Sequence, residues 1–189
     1  MINQRCNTRP VNRQHGVALI TGLIFLVVLT LISVTAARMS SLEERMSGNM
    51  RDRSLAMQAA EMALRDAERD IRGGAGITRA PAISGITNFD QACTAGLCYN
   101  GLAGNASGTN WNTTPVWSLV SMTAAPSVAY GTYTGAIGNA ALSAQPRYII
   151  EGIEKSGSGT AIYYYRITVR AQGANANTVV WLQEIYYRS

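Results

Sequence analysis

Residues 17–37 read VALITGLIFLVVLTLISVTAA, and residues 38–72 read RMSSLEERMSGNMRDRSLAMQAAEMALRDAERDIR. The first stretch holds 21 residues without a charge; as a helix rising ~1.5 Å per residue it reaches roughly 30 Å, about one bilayer core. In the second, Met39, Leu42, Met46 and Met50 recur at spacings of three and four, and so do Met57, Ala60, Leu64, Ala67 and Ile71. That is the period of an amphipathic helix. Glu61–Arg65 and Glu68–Arg72 stand four residues apart in the favourable order. Ser47-Gly48-Asn49 is a weak spot, where the glycine costs up to ~1 kcal/mol against alanine. Gly73-Gly74-Ala75-Gly76 is a strong stop. The expectation is one continuous helix over 17–72, apolar all round at first and one-sided later, with its methionine and alanine stripes packed on the domain that follows.

Working outward toward the start, residues 1–16 carry Arg5, Arg9 and Arg13 and no acid. Such a lead holds the N-terminus in the cytoplasm and sends the rest of the chain across the membrane. A cleaved secretory signal would share the basic start and could end at Thr35-Ala36-Ala37. Its core is usually 7–15 residues, however, and this run is longer, which favours a retained helix.

Charge falls away beyond the helix. Residues 38–72 hold seven arginines against seven acids, and residues 73–146 hold only Arg79 and Asp90. The net charge of +5 is therefore largely the +3 of the first 16 residues, and no basic stripe marks a nucleic-acid surface. The single histidine, His15, precedes the apolar run, so the folded part offers none for a Ser-His-Asp or Cys-His unit. Cys93 and Cys98 have no second pair to complete a zinc site. Neither a catalytic residue nor a metal or cofactor is expected.

A basic leader ending in glycine, then an apolar helix running into an amphipathic one, resembles a type IV prepilin. The match narrows at Leu42-Glu43-Glu44-Arg45-Met46, Asn49-Met50-Arg51-Asp52-Arg53 and Gln58-Ala59-Ala60-Glu61, which resemble the N-terminal region of PilX-type minor pilins. Tyr165-Arg166-Ile167-Thr168-Val169-Arg170-Ala171-Gln172-Gly173 is similar to that family's closing strands. The resemblance implies that prepilin peptidase cuts between Gly16 and Val17 and that Val17 is then N-methylated. It also implies a glutamate at the fifth mature residue, where this chain has Thr21. A carboxylate in hydrocarbon is costly unless it meets a partner charge, in pilins the N-terminal amine of a neighbouring subunit. A subunit with Thr21 cannot offer that contact, which suits a place at or near the tip, or a priming role. K-type minor pseudopilins of type II secretion share this feature and are the nearest rival.

Five regions are expected: a leader (1–16), a membrane or filament-core half-helix (17–37), an amphipathic half-helix (38–72), a low-charge region (73–146) and an antiparallel β-meander (147–189). The fourth, rich in Gly, Ala, Ser, Thr and Asn, is expected to be surface rather than core. Its strand candidates are Val116–Val120 and Tyr130–Thr134. Residues 147–154 read as a strand, 155–159 as a turn, 160–171 as a strand alternating Tyr163, Tyr165, Ile167, Val169 and Ala171 with polar residues, 173–177 as a turn and 178–187 as a third strand. The apolar face needs a cover, and the stripe from Met57 to Ile71 supplies one. The fold class expected is α+β and pilin-like, a long N-terminal α-helix packed on an antiparallel β-sheet. Tyr163, Tyr164, Tyr165, Tyr186 and Tyr187 read as strand formers and cross-strand partners rather than a stacking surface.

Export would let Cys93 and Cys98 oxidise to a disulfide, while Cys6 would leave with the leader. So small a loop adds only ~2 kcal/mol in the chain-entropy account and would shape a local surface. The reading is a non-enzymatic minor pilin, held in the inner membrane with its N-terminus in the cytoplasm before assembly and then carried into an extracellular pilus. Its partners, by resemblance, are other minor pilins, the major pilin, prepilin peptidase and a PilY-type tip adhesin, with adhesion and twitching motility as outcomes. A membrane-anchored periplasmic ligand-binding protein is the alternative of another class, and an exported enzyme a third.

Overall fold

The computed structural model describes residues 16–99, 116–118, 120–156 and 161–188. The leader arginines, His15, Cys6, Leu119 and the centre of the turn expected at 155–159 lie outside the described residues. The chain divides into two compact units, Met1–Gly48 and Asn49–Ser189.

Helix α1 (Val17–Arg72) has the predicted bounds. It ends where glycine permits a left-handed turn: Gly73 has φ 67° and its N–H donates to the Arg69 carbonyl at 3.0 Å. Within the first unit every residue from Gly16 to Gly48 is exposed. Met39, Leu42 and Met46 are among them, as are Met50 and Met57 in the second unit. The methionine stripe is therefore not core, contrary to the sequence expectation. The packing surface of α1 is made of Ala56, Ala59, Ala60, Ala63 and Ala67, joined by Leu64 and Ile71. Alanines let the backbone approach the sheet closely, and the bulk comes from the other side as Tyr148, Ile150, Tyr165, Ile167 and Val169.

The sheet contains β1 (Leu97–Cys98), β2 (Val128–Ala129), β3 (Arg147–Ser156), β4 (Ala161–Gln172) and β5 (Val179–Tyr187). Its order is β1-β3-β4-β5, with β2 also pairing β3. The meander β3-β4-β5 is antiparallel, as predicted, but β1 runs parallel to β3, so the whole sheet is mixed. Lys155 and Ser156 continue β3 instead of turning.

Both faces of the meander are covered over β3 and β4, which the alternation in β4 did not announce. On the helix face sit Tyr148, Ile150, Tyr165, Ile167, Val169, Ala171 and Val180. On the other, Ile149 packs with Cys93, Cys98, Val116 and Met122, and Glu151 and Arg166 are buried as a bidentate pair at 2.7 and 2.5 Å.

Residues 73–146 thus correct the expectation of a decorative surface: Ile83, Phe89, Leu97, Val116, Met122, Val128 and Leu142 are buried there. Neither strand expected in this region forms. Val116–Ser118 is a 3₁₀ turn. Tyr130–Thr134 is a run of turns, because the Asp66 carboxylate accepts from the Gly131 N–H at 2.9 Å and from the Thr134 hydroxyl, and so competes with any strand partner.

Candidate functional site

The segment Val17–Ala37 offers an apolar surface whose side-chain hydroxyls are all bonded. Val17–Ala37 contains four hydroxyl residues, Thr21, Thr30, Ser33 and Thr35. Each donates to a carbonyl three or four residues back: Thr21 to Val17 and Ala18 at 3.0 and 3.1 Å, Thr30 to Val27 at 2.7 Å, Ser33 to Leu29 at 2.8 Å, and Thr35 to Leu31 and Ile32 at 3.1 and 2.8 Å. A segment satisfied in this way can enter hydrocarbon or a bundle of apolar helices without an unpaired donor. Leu19, Ile20, Leu23, Ile24, Phe25 and Leu26 are each more than half exposed. This is one helix long and apolar enough to cross a membrane. Gly16 precedes the first helical residue, Val17, and Thr21 stands one turn in.

The second unit is held at the end of α1 by a buried arginine. Arg79 donates from Nε to both Asp70 carboxylate oxygens at 2.7 and 2.9 Å and from one terminal nitrogen at 2.6 Å. Its other terminal nitrogen donates to the Ala95 carbonyl at 3.0 Å, and its guanidinium lies 3.8 Å from the Tyr133 ring centre. The Tyr148 hydroxyl donates to Asp70 at 3.1 Å. Burial works against the charge of Arg79, but the hydrogen bond and charge of Asp70 outweigh it, and the guanidinium sits above its ordinary value. Burial, then the Asp70 and Asp66 charges, push the Tyr148 hydroxyl far up, so it stays a donor. One cluster thereby ties α1, the loop after it, the cysteine loop and β3 together.

The cysteine loop is compact. The Cys93 and Cys98 sulfurs are 2.15 Å apart, and both residues are fully buried. Asp90 organises the turn: its carboxylate accepts from the Thr94 N–H at 2.9 Å, and its carbonyl accepts from the Tyr99 and Cys93 N–H groups at 2.7 and 3.3 Å. The hydrogen bonds from Thr94 hold the Asp90 carboxyl below the usual carboxylate range. Cys93 and Ala95 both take left-handed φ, near 58° and 55°, the cost of so tight a loop. Packed on Ile149, the pair serves the core rather than the surface.

Two family models match this chain. PilX N-terminal covers residues 15–65, and Type IV pilus assembly protein PilX C-term covers residues 94–188. The chain belongs to the PilX family of type IV pilus assembly proteins. Searches of curated proteins and of solved structures each found no significant match. The first match ends on α1 at residue 65 and the second begins at residue 94, inside the cysteine loop, and the described residues between them include Asp66, Asp70 and Arg79.

Gly16, Val17 and Thr21 fall together at the start of α1, and Cys93 and Cys98 fall together on the back of the sheet. Of the tyrosines, Tyr165 is buried and donates to the Gly85 carbonyl at 3.1 Å, and Tyr164 packs across the strands on Tyr187 at 5.4 Å. The neighbouring Arg188 donates to the Ile71 and Ile83 carbonyls at 3.1 and 2.9 Å. Of the two helix pairs expected, Glu68–Arg72 forms, at 3.9 Å, whereas Arg65 bonds Glu68 at 2.6 Å in place of the expected Glu61. Sequence reasoning missed the Arg79–Asp70 cluster, although a lone arginine in a nearly uncharged stretch was a signal for it.

Proposed function

We propose that this PilX-family protein is a minor pilin that primes the type IV pilus or sits at or near its tip, and that it acts by packing rather than by chemistry. The observation that carries the reading is the start of α1. There the Thr21 hydroxyl is spent on the Val17 and Ala18 carbonyls, at the position where the resemblance puts a glutamate. A shaft subunit receives its neighbour's N-terminal amine on that carboxylate; this chain has nothing there to receive it, yet its own amine at Val17 remains available to a neighbour. It can begin a stack more readily than continue one. Prepilin peptidase cuts between Gly16 and Val17, Val17 is methylated, and Val17–Ala37 passes from the inner membrane to the apolar filament core. The Asn49–Ser189 unit then meets other minor pilins and a PilY-type tip adhesin, and through them supports adhesion and twitching motility. The Cys93–Cys98 bond forms outside the cytoplasm.

Intact-mass measurement and N-terminal sequencing of the mature chain test the processing: a start at Val17 with one added methyl supports the proposal, and a start at Arg38 overturns it. Affinity purification of the full chain from cells tests the assembly role, with co-purification of other minor pilins as the expected result. A chain isolated without them would favour an anchored ligand-binding protein.

A further inference from the structure

The two edges of the sheet are treated differently. On one side β3 is covered by β1 at Ile150–Glu151 and by β2 at Arg147–Tyr148. On the other, β5 pairs only with β4 among the described residues, and its outer backbone groups are free along nine residues. Proteins usually blunt such an edge with a bulge, a proline, a lysine or a very short strand. Here the β4–β5 register is unbroken from Val179 to Tyr187, and the strand VVWLQEIYY has no proline and no lysine. Its single charge, Glu184, is on the helix face with Glu68 and Arg65.

The outward face of this edge carries Val179, Trp181, Ile185 and Tyr187, which are 36%, 44%, 55% and 52% exposed. These four positions are symmetric about Gln183. We infer that β5 is a docking edge for a second copy of this chain, whose own β5 pairs with it antiparallel about Gln183. In that register Val179 faces Tyr187, Trp181 faces Ile185 and Gln183 faces its copy. On the helix side Val180 faces Tyr186 and Glu184 faces Leu182, so the two carboxylates avoid each other. Each exposed apolar residue gains a cross-strand apolar partner, and aliphatic–aromatic pairs are among the stabilising ones. Sliding the register by two residues leaves exposed apolar residues unpaired and shortens the ladder. Trp181 is already braced by Trp117, with ring centres 5.1 Å apart. The contact is isologous, so it closes at two copies instead of growing into a fibre. Strand addition supplies backbone hydrogen bonds, and the side-chain symmetry selects the partner. The inference stands independently of where the subunit sits in a pilus.

Disulfide trapping on the full-length chain in detergent, in a Cys6→Ser background, tests it. Gln183→Cys is expected to form covalent dimer at least tenfold faster than Ile137→Cys, a control at a site 90% exposed. Mixing Trp181→Cys with Ile185→Cys chains should give the heterodimer and little of either homodimer, which reports the register. Adding Ile185→Lys to the Gln183→Cys chain should return its rate to that of the control; because Ile185 is on the surface, circular dichroism should be unchanged. Equal trapping at 183 and 137 overturns the inference. So does trapping that ignores Ile185→Lys, or cross-linking of Gln183→Cys in cells to a different protein.

Discussion

Between Val17 and Ala37, α1 is large, branched and exposed; between Ala56 and Ile71 it is small and buried. Residue size runs opposite to what burial of an apolar side chain would suggest, and the reason is what each half packs against. The lower half meets a sheet that brings its own bulk, so alanine is the side chain that fits. The upper half has only solvent around it in the single chain, and bulky residues of that kind are stable when lipid or other helices surround them. One half is finished within the chain; the other, on the function proposed above, is completed by lipid or by neighbouring helices.

The sharpest way to break this contrast is to remove the charge that pairs with the finished half at Asp70. Arg79→Met leaves the Asp70 carboxylate buried against Tyr148 without its cation. Loss of one partner of a buried pair costs ~3–5 kcal/mol. Urea unfolding should show that loss, and a change under ~1 kcal/mol would mean that the cluster does not hold the α1 end to β3. A charge placed in the unfinished half should do the reverse. Leu26→Arg is expected to cost ~2.5–3.5 kcal/mol of membrane insertion. Carbonate extraction would report release from the membrane fraction, while the unfolding midpoint of the Asn49–Ser189 unit stays unchanged. If that midpoint also falls, the two halves are not energetically separate.

Size tests the contrast more gently. Ala63 is fully buried against the sheet, so Ala63→Leu overpacks the interface and should cost ~1–3 kcal/mol in urea unfolding. Met46→Leu, at an exposed position in the first unit, should change the same measurement by less than ~0.5 kcal/mol. Equal effects would show that the exposed stripe is packed after all.

The helix, its stop and the meander were legible because each rests on a local rule: spacing of three and four, a run of glycines, and alternation along β4. What could not be read depends on pairing across distance. The methionines looked like the apolar stripe because periodicity reports a face without saying what it faces. Tyr130–Thr134 has the composition of a strand, but Asp66, more than 60 residues away, takes its donors. Arg166 and Thr168 read as the solvated side of β4, yet both are buried, Arg166 in its pair with Glu151 and Thr168 accepting from the Gln183 side chain. The proposed Gly16–Val17 boundary and the reading of Thr21 rest on the resemblance alone, since nothing in a lone exposed helix marks which of its residues meet a neighbour.

The sheet that finishes this half of α1 also carries a small pH dependence. Burial first, then a hydrogen bond and the negative charge of Glu68, push the Glu184 carboxyl up to about 6 from 4.5, with Glu61 adding to the shift and Arg65 opposing it. A carboxyl whose folded value lies above its unfolded one favours folding when protonated. Its contribution is therefore complete below pH 4.5 and disappears as the pH rises through 6. Much of the side chain is solvated, so the loss should be below ~1 kcal/mol. Asp90 has the opposite sign, held below its ordinary 3.8, and its contribution is lost only as the pH falls through that lower range. Urea unfolding followed between pH 4.5 and 6.5 should show a slight decline that Glu184→Gln flattens. A rise over that interval would mean that Glu184 does not stand beside Glu68, and that the helix face of β5 is set differently against α1.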